Sequence, residues 1–196
     1  MIAIIDYGAG NLVSVKKAFD FLGQECVITS QAAQVESAEK IVLPGVGNFA
    51  STDSLARSGL KDEIAEAIRR GMPFLGICVG MQWMFAGSEE APGTEGLSVL
   101  DGECERFPGS VKSPHVGWNS VEVKESSRLF RGIPSSSFFY FTHSFRAPVC
   151  DATVACCEYG GKFCAAVERD HLFGVQFHPE KSGDTGLKLL SNFCDL

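Results

Sequence analysis

The feature that most constrains this chain is a strand, glycine turn and helix that opens it and then recurs. Ile2 to Ile5 is a continuous apolar run ending in Asp6-Tyr-Gly-Ala-Gly10. Apolar residues at helical spacing follow at Leu12, Val15, Ala18, Phe19 and Leu22, stopped by Gly23. The same grammar returns in Cys26 to Ile28, in Lys40 to Leu43 running into Pro44-Gly-Val-Gly47, and in a helix from Leu60 to Arg70. It returns once more in Pro73-Phe-Leu-Gly-Ile77, followed by a helical segment from Val79 to Phe85. Runs without a polar face, alternating with helices, predict an α/β fold with a mostly parallel central sheet flanked by helices.

The second half changes character. Strand-like runs at Val116 to Val123, Phe138 to Phe145, Thr153 to Tyr159, Phe163 to Glu168 and Leu172 to Phe177 predict antiparallel pairs, with a hairpin around Arg169-Asp170. Thr185 to Phe193 closes the chain as an amphipathic helix. There is no repeat, low-complexity linker or composition break, so residues 1–196 are expected to form one domain with an antiparallel extension. A hydrophobic content of 45% can fill one sizeable core.

Composition removes several classes of function. A net charge of -7 and a pI near 5.1 do not suit a surface that neutralises phosphates, so nucleic acid is not an expected partner. The weakly polar stretch from Pro73 to Gly87 is too short to cross a bilayer and reads as buried core, and no membrane partner is expected. The first residues carry neither a basic leader nor a small-residue cleavage site, which predicts a cytoplasmic protein. The eight cysteines, at 26, 78, 104, 150, 156, 157, 164 and 194, form no ligand-like spacing; they are expected to stay reduced, and no metal site is expected.

One cysteine has a special setting. Gly76-Ile-Cys78-Val-Gly80 lies between a predicted buried strand and a predicted helix, with the spacing of the nucleophile elbow G-x-S-x-G and sulfur in place of the hydroxyl. So sharp a turn strains the backbone of its central residue, and side chains at the flanking positions would collide with neighbouring elements. A helix N-terminus favours a thiolate, and the Val79 amide would point where an oxyanion forms. Gln82 falls one helical turn after Cys78 on the same face, where it could hydrogen-bond a substrate amide or carboxylate.

A thiol nucleophile needs a base and a group that orients the base. Gly174-Val-Gln-Phe-His-Pro-Glu180 offers both, as an apolar strand ending in His178 and Glu180, whose two-residue spacing puts both side chains on one side of an extended chain. The other histidines are less suited: His115 follows Pro114 in a loop, His143 lies in an aromatic strand, and His171 begins a hairpin strand without an acid at matching spacing. Ligands of open parallel sheets bind beyond the carboxyl ends of the strands, where the loops at Gly8 to Asn11, Pro44 to Asn48 and Cys78 would converge. Pro44-Gly-Val-Gly47 has little side-chain bulk and would supply a second oxyanion donor. Gly8-Ala-Gly-Asn-Leu-Val13 lacks the third glycine of the dinucleotide fingerprint, and no Walker-type loop is present, so no nucleotide cofactor is expected.

These residues resemble the class I, or triad, glutamine amidotransferases across essentially the whole chain. Within that class the set is most similar to the glutaminase subunits of imidazole glycerol phosphate synthase. The matching segments are Asp6-Tyr-Gly-Ala-Gly-Asn-Leu12, Leu43-Pro-Gly-Val-Gly-Asn-Phe49, Gly76-Ile-Cys-Val-Gly-Met-Gln82, Pro114-His-Val-Gly-Trp-Asn119, Tyr140-Phe-Thr-His-Ser-Phe145 and Gly174 through Ser182. The resemblance implies a flavodoxin-like fold and cofactor-free hydrolysis of L-glutamine to glutamate and ammonia through a thioester at Cys78. It also implies ammonia delivery to a (β/α)8 cyclase subunit in a heterodimer. It makes Cys78, His178 and Glu180 the triad, and puts Gly45, Val46, Gly47, Val79, Gln82, His143, Ser144 and Phe145 around the bound glutamine. Asn11, Trp118, Tyr140 and Lys181 fall near the partner face. Val79 stands where leucine is common and Phe145 where tyrosine is common. Triad logic is shared by cysteine peptidases and γ-glutamyl hydrolases of similar fold, an idle binding subunit could keep the scaffold, and a paralogue could serve surface-sugar amidation.

Overall fold

In the computed structural model, which describes residues 1–196, the opening run is strand β1 (Ile2–Ile5) and the periodic segment after it is helix α1 (Leu12–Phe21). The first half continues as β2 (Cys26–Thr29), α2 (Ala32–Glu36), β3 (Lys40–Gly45), α3 (Asp53–Arg57), α4 (Leu60–Arg69), β4 (Phe74–Cys78) and α5 (Val79–Gln82). After β5 (Gly87–Ser88) and β6 (Glu103–Arg106) come the long strands β7 (His115–Val123) and β8 (Ser137–His143). The short β9 (Phe145–Arg146) leads into β10 (Thr153–Glu158), β11 (Lys162–Arg169), β12 (Leu172–Val175) and the closing helix α6 (Gly183–Cys194).

Nine strands form one sheet in the order β2-β1-β3-β4-β12-β11-β10-β7-β8. The pairs from β2 to β12 are all parallel, and those from β12 to β8 are all antiparallel. β12 is therefore the joint. It lies beside β4 with Gly174 opposite Gly76 and Val175 opposite Ile77, and turns back on β11 through the hairpin at Asp170. The strands β5, β6 and β9 form a separate three-stranded sheet.

The helices cover the sheet with their apolar stripes. α1 buries Val15, Ala18 and Phe19; α4 buries Leu60, Ile64 and Ala67; α6 buries Leu189, Leu190 and Phe193. These meet the interior strands in one continuous core of 52 buried residues, each large side chain stabilising the fold by about 1.5–3 kcal/mol. No helix is long and apolar enough to cross a membrane.

Three sequence expectations need correction. The helix after Cys78 stops at Gln82 rather than Phe85, because the carbonyls of Trp83 and Met84 accept hydrogen bonds from Leu97 and Leu100 in a following loop, at 2.6 and 3.0 Å. The run Phe138 to Phe145 is broken at Ser144, and Phe145–Arg146 crosses to pair with β6. His115 is not in a loop; it starts β7 opposite His143 and is buried. The short elements α2, α3, β5 and β6 have no periodicity long enough to read from sequence.

Candidate active site

β4 ends at Cys78 and α5 starts at Val79, so the cysteine is the hinge between sheet and helix. Its backbone has φ 55° and ψ −111°, a conformation a non-glycine residue holds only when its surroundings enforce it, at about 1–3 kcal/mol. The flanking glycines provide that enforcement. A Cβ on Gly80 would lie 1.9 Å from the Leu43 carbonyl oxygen, and one on Gly76 would lie 2.4 Å from the Gly80 carbonyl oxygen. β3, β4 and the start of α5 meet more closely than any side chain would allow.

His178 Nδ1 donates to Glu180 Oε1 at 2.9 Å, and both side chains are 1% exposed. The pair is not made by strand alternation. β12 ends at Val175; His178 is extended, and a 3-10 turn over Pro179–Lys181 folds the carboxylate back onto the ring. Proline at the first position of the turn presets its φ and has no N–H that would need a partner there. The His178 N–H donates to the Tyr140 carbonyl at 2.9 Å, and the Ser182 hydroxyl donates to the His178 carbonyl at 2.7 Å while accepting from the Tyr140 N–H at 3.0 Å. Strand β8 thus holds the His178 backbone in place. His178 Nε2 and Glu180 Oε2 are buried without a hydrogen-bond partner. Burial alone would lower the proton affinity of the imidazole, but the neighbouring Cys78 sulfur, then Glu180, outweigh it and raise its pKa.

Cys78 opens onto a cavity of about 220 Å³. Gly47, Val79 and Gln82 line it from the parallel half; His143, Ser144 and Phe145 line it from the β8–β9 turn. A larger groove of about 500 Å³ lies elsewhere, over residues 123–135, and holds none of the candidate residues. No group of three or more His, Cys, Asp or Glu side chains is arranged to hold a metal ion.

The remaining candidates divide. Gln82 is buried, and its Nε2 donates to the Phe145 carbonyl at 2.9 Å and to Gln176 Oε1 at 3.0 Å, so only its oxygen is left for a ligand. Gly45 and Val46 do not reach the cavity. Gly45 ends β3 opposite Cys78, and Val46 borders an open groove with Gly8 and Gly10 that meets the cavity at Gly47. His143 Nδ1 donates to the Phe145 carbonyl at 2.8 Å, and its Nε2 lies 3.2 Å from His115 Nδ1. Burial pushes the pKa of His143 down to about 3, so it is a neutral wall. Trp118 is 56% exposed and meets Tyr140 edge-on at 6.2 Å, and Lys181 Nζ lies 5.9 Å from the Tyr140 ring centre. Asn11 precedes α1, which packs against the turn that carries Lys181.

Sequence reasoning missed Glu90, Pro114 and Thr142 in the cavity wall, and Gln176 behind Cys78. Glu90 is the only carboxylate there, with Oε2 accepting from the Phe49 N–H at 2.8 Å. It sits in an irregular loop where no periodicity marks it. Gln176 did carry a signal: it is the one polar side chain inside an apolar strand end.

Comparison with known proteins identifies the family. The family model for glutamine amidotransferase class-I matches residues 3–196. A Thermococcus kodakarensis protein named imidazole glycerol phosphate synthase subunit HisH is 50% identical, covering 98% of each chain. The Moorella thermoacetica protein of that name is 46% identical over 100% of this chain and 94% of its own length. The Methanocaldococcus jannaschii one is also 46% identical, over 100% of both. Among solved structures, PurLQS from Thermotoga maritima superimposes with a TM-score of 0.78 at 21% identity, covering 99% of this chain and 97% of that one. A structure described as glutamine amidotransferase gives 0.77 at 19%, covering 99% and 100%. The sequence match over nearly the whole chain and the shared fold lead to one assignment: this chain belongs to the class I glutamine amidotransferases.

Proposed function

We infer that the chain is the glutaminase subunit of an imidazole glycerol phosphate synthase, hydrolysing L-glutamine and passing the ammonia to a cyclase subunit. The observation that carries this reading is a strained, buried cysteine beside a buried His-Glu pair at the floor of a small cavity, in a chain about half identical to proteins of that name. A cavity of about 220 Å³ has room for one amino acid.

In this reading Cys78 Sγ attacks the carboxamide carbon as His178 takes up the thiol proton. The Val79 amide and the Gly47 loop would stabilise the oxyanion, each such donor contributing a factor of about 10²–10³. Collapse of the tetrahedral intermediate breaks the C–N bond; His178 gives its proton to the departing nitrogen, and the thioester remains. Water then attacks with His178 as base, and glutamate leaves with the thiol restored. Glu90, the carboxylate in the cavity wall, would receive the substrate ammonium, and the Gln82 oxygen would accept from it.

Asn11, Trp118, Tyr140 and Lys181 would contact the cyclase, a (β/α)8 partner in a cytoplasmic heterodimer, with residues 1–196 acting as one domain. Ammonia is largely protonated in neutral water and then is no nucleophile, so a covered route between the two sites has a chemical purpose. Trp118 and Tyr140 suit such a boundary because one end of each side chain is apolar and the other polar. The test is Cys78→Ala. Glutamine-dependent synthesis by the complex should vanish while synthesis from added ammonium persists; equal loss of both would sink the reading.

A further inference from the structure

Gln176 is wholly buried directly behind the nucleophile, yet neither the triad nor the cavity wall accounts for it. Its Nε2 lies 3.6 Å from Cys78 Sγ, and its Oε1 lies 3.0 Å from Gln82 Nε2. Chemistry determines which end of the amide faces the sulfur. The Phe145 carbonyl oxygen can only accept, so the Gln82 atom 2.9 Å away must be nitrogen. The second hydrogen of that nitrogen needs an acceptor, which is Gln176 Oε1. The amino end of Gln176 is therefore turned to the sulfur. The anchor is itself secured, since His143 Nδ1 donates to the same Phe145 oxygen at 2.8 Å.

We propose that Gln176, oriented by Gln82 and the Phe145 carbonyl, is a standing hydrogen-bond donor to the Cys78 sulfur that favours the thiolate. The proposal rests on reading Cys78 as the nucleophile. A donor gains more from an anion than from a neutral thiol or thioester, so the contact strengthens whenever charge sits on sulfur. Unlike His178, an amide gives up no proton at any step. The contact therefore persists through the cycle: it helps form the attacking thiolate and helps expel it when water opens the thioester. The titratable groups facing this region are His178 and Glu180 beyond β12, Tyr7 beyond β1, Cys104 on β6, His143 at the end of β8 and Glu90 in the cavity wall. Gln176 adds an uncharged side-chain donor on the sulfur.

The experiment is the pH dependence of Cys78 alkylation by iodoacetamide, read at the Cys78 peptide by mass spectrometry so that the other cysteines do not count. Gln176→Met, unbranched and without a donor, should raise the midpoint by about one pH unit, or roughly tenfold less thiolate at a given pH. It should lower kcat for glutamine hydrolysis with little change in KM. Gln176→Glu keeps the shape but puts an acceptor beside the sulfur and should raise the midpoint further. Gln82→Met leaves the Gln176 donor in place but frees its orientation, and should raise the midpoint less in this substrate-free measurement, whatever it does to glutamine binding. Thermal melting reports folding, and if Gln176→Met does not fold, the other two variants decide. An unmoved midpoint in the folded variants overturns the inference. Retention of glutaminase activity by Cys78→Ala would instead overturn the reading beneath it, so the two failures are distinguishable.

Discussion

The two halves of the large sheet do different work. In the parallel half, strands β3, β4 and β12 are buried almost throughout, and their carboxyl ends bring together Gly45, Cys78 and the segment leading to His178. In the antiparallel half, β7 and β8 alternate between an inner face holding His115, Phe139, Phe141 and His143 and an outer face where Val116, Trp118 and Phe138 are more than half exposed. The three residues proposed as the triad come from the half with no solvent-facing side. One wall of the cavity, and the proposed partner surface, come from the half that has one. A parallel edge converges its loops and so suits chemistry, whereas a two-faced hairpin can touch substrate on one side and another protein on the other.

That contrast predicts a graded series of effects. Glu180→Gln alters only the carboxylate bonded to His178, and if the proposed triad holds, kcat for glutamine hydrolysis should fall about a hundredfold or more, with KM less affected. A fall below tenfold would mean that the β8 contacts to His178 already orient the ring. Gly80→Ala drives a Cβ into the Leu43 carbonyl and should destabilise the chain by about 3 kcal/mol, lowering Tm by about 6–12 °C. Unchanged melting would show that the elbow has slack that the parallel half is argued not to have.

Trp118→Ala belongs to the other half. The isolated chain should melt within about 0.5 kcal/mol of its parent, while affinity for a cyclase partner should drop by about 2 kcal/mol in a titration. A large loss of stability without loss of affinity would make Trp118 a fold residue. The smallest effect concerns the buried histidine pair on β7 and β8. Burial pushes His115 down to about 4 and His143 to about 3, both below the ordinary 6.5. The unfolded chain binds protons at these groups between about pH 4 and 6.5 and the folded chain does not. Their contribution to stability is thus complete above about pH 6.5 and is lost as pH falls through that window. Tm should drop by a few degrees between about pH 7 and 5, and less steeply in His115→Gln; equal slopes would remove the pair as the cause.

How much was legible in advance follows the same division. The parallel strands appear in the sequence as short apolar runs punctuated by glycine, and the elbow and the His-Pro-Glu ending are local patterns, so the fold class and the three triad candidates could be named from residues alone. The spacing of Gln82 from Cys78 puts both on one helix face, but the spending of the Gln82 amide on Phe145 and Gln176 joins positions 63 and 94 residues away. Glu90 reaches the cavity from a loop with no pattern pointing there, whereas Thr142 reaches it from the strand end that also carries His143. His115 reads from sequence as a loop residue because its stabilising partners, His143 and the stacked rings of Phe141 and Tyr159, lie across the sheet.

By itself the sequence determined which residues can do chemistry and what local backbone carries them, because turns, caps and apolar periodicity act over a few residues. Only the tertiary structure decided that β12 inserts beside β4, that a 3-10 turn rather than a strand presents Glu180, and which way each buried amide points. Those outcomes depend on pairings between distant segments, where an unpaired buried polar group is too costly to leave, and no local pattern encodes the partner that removes that cost.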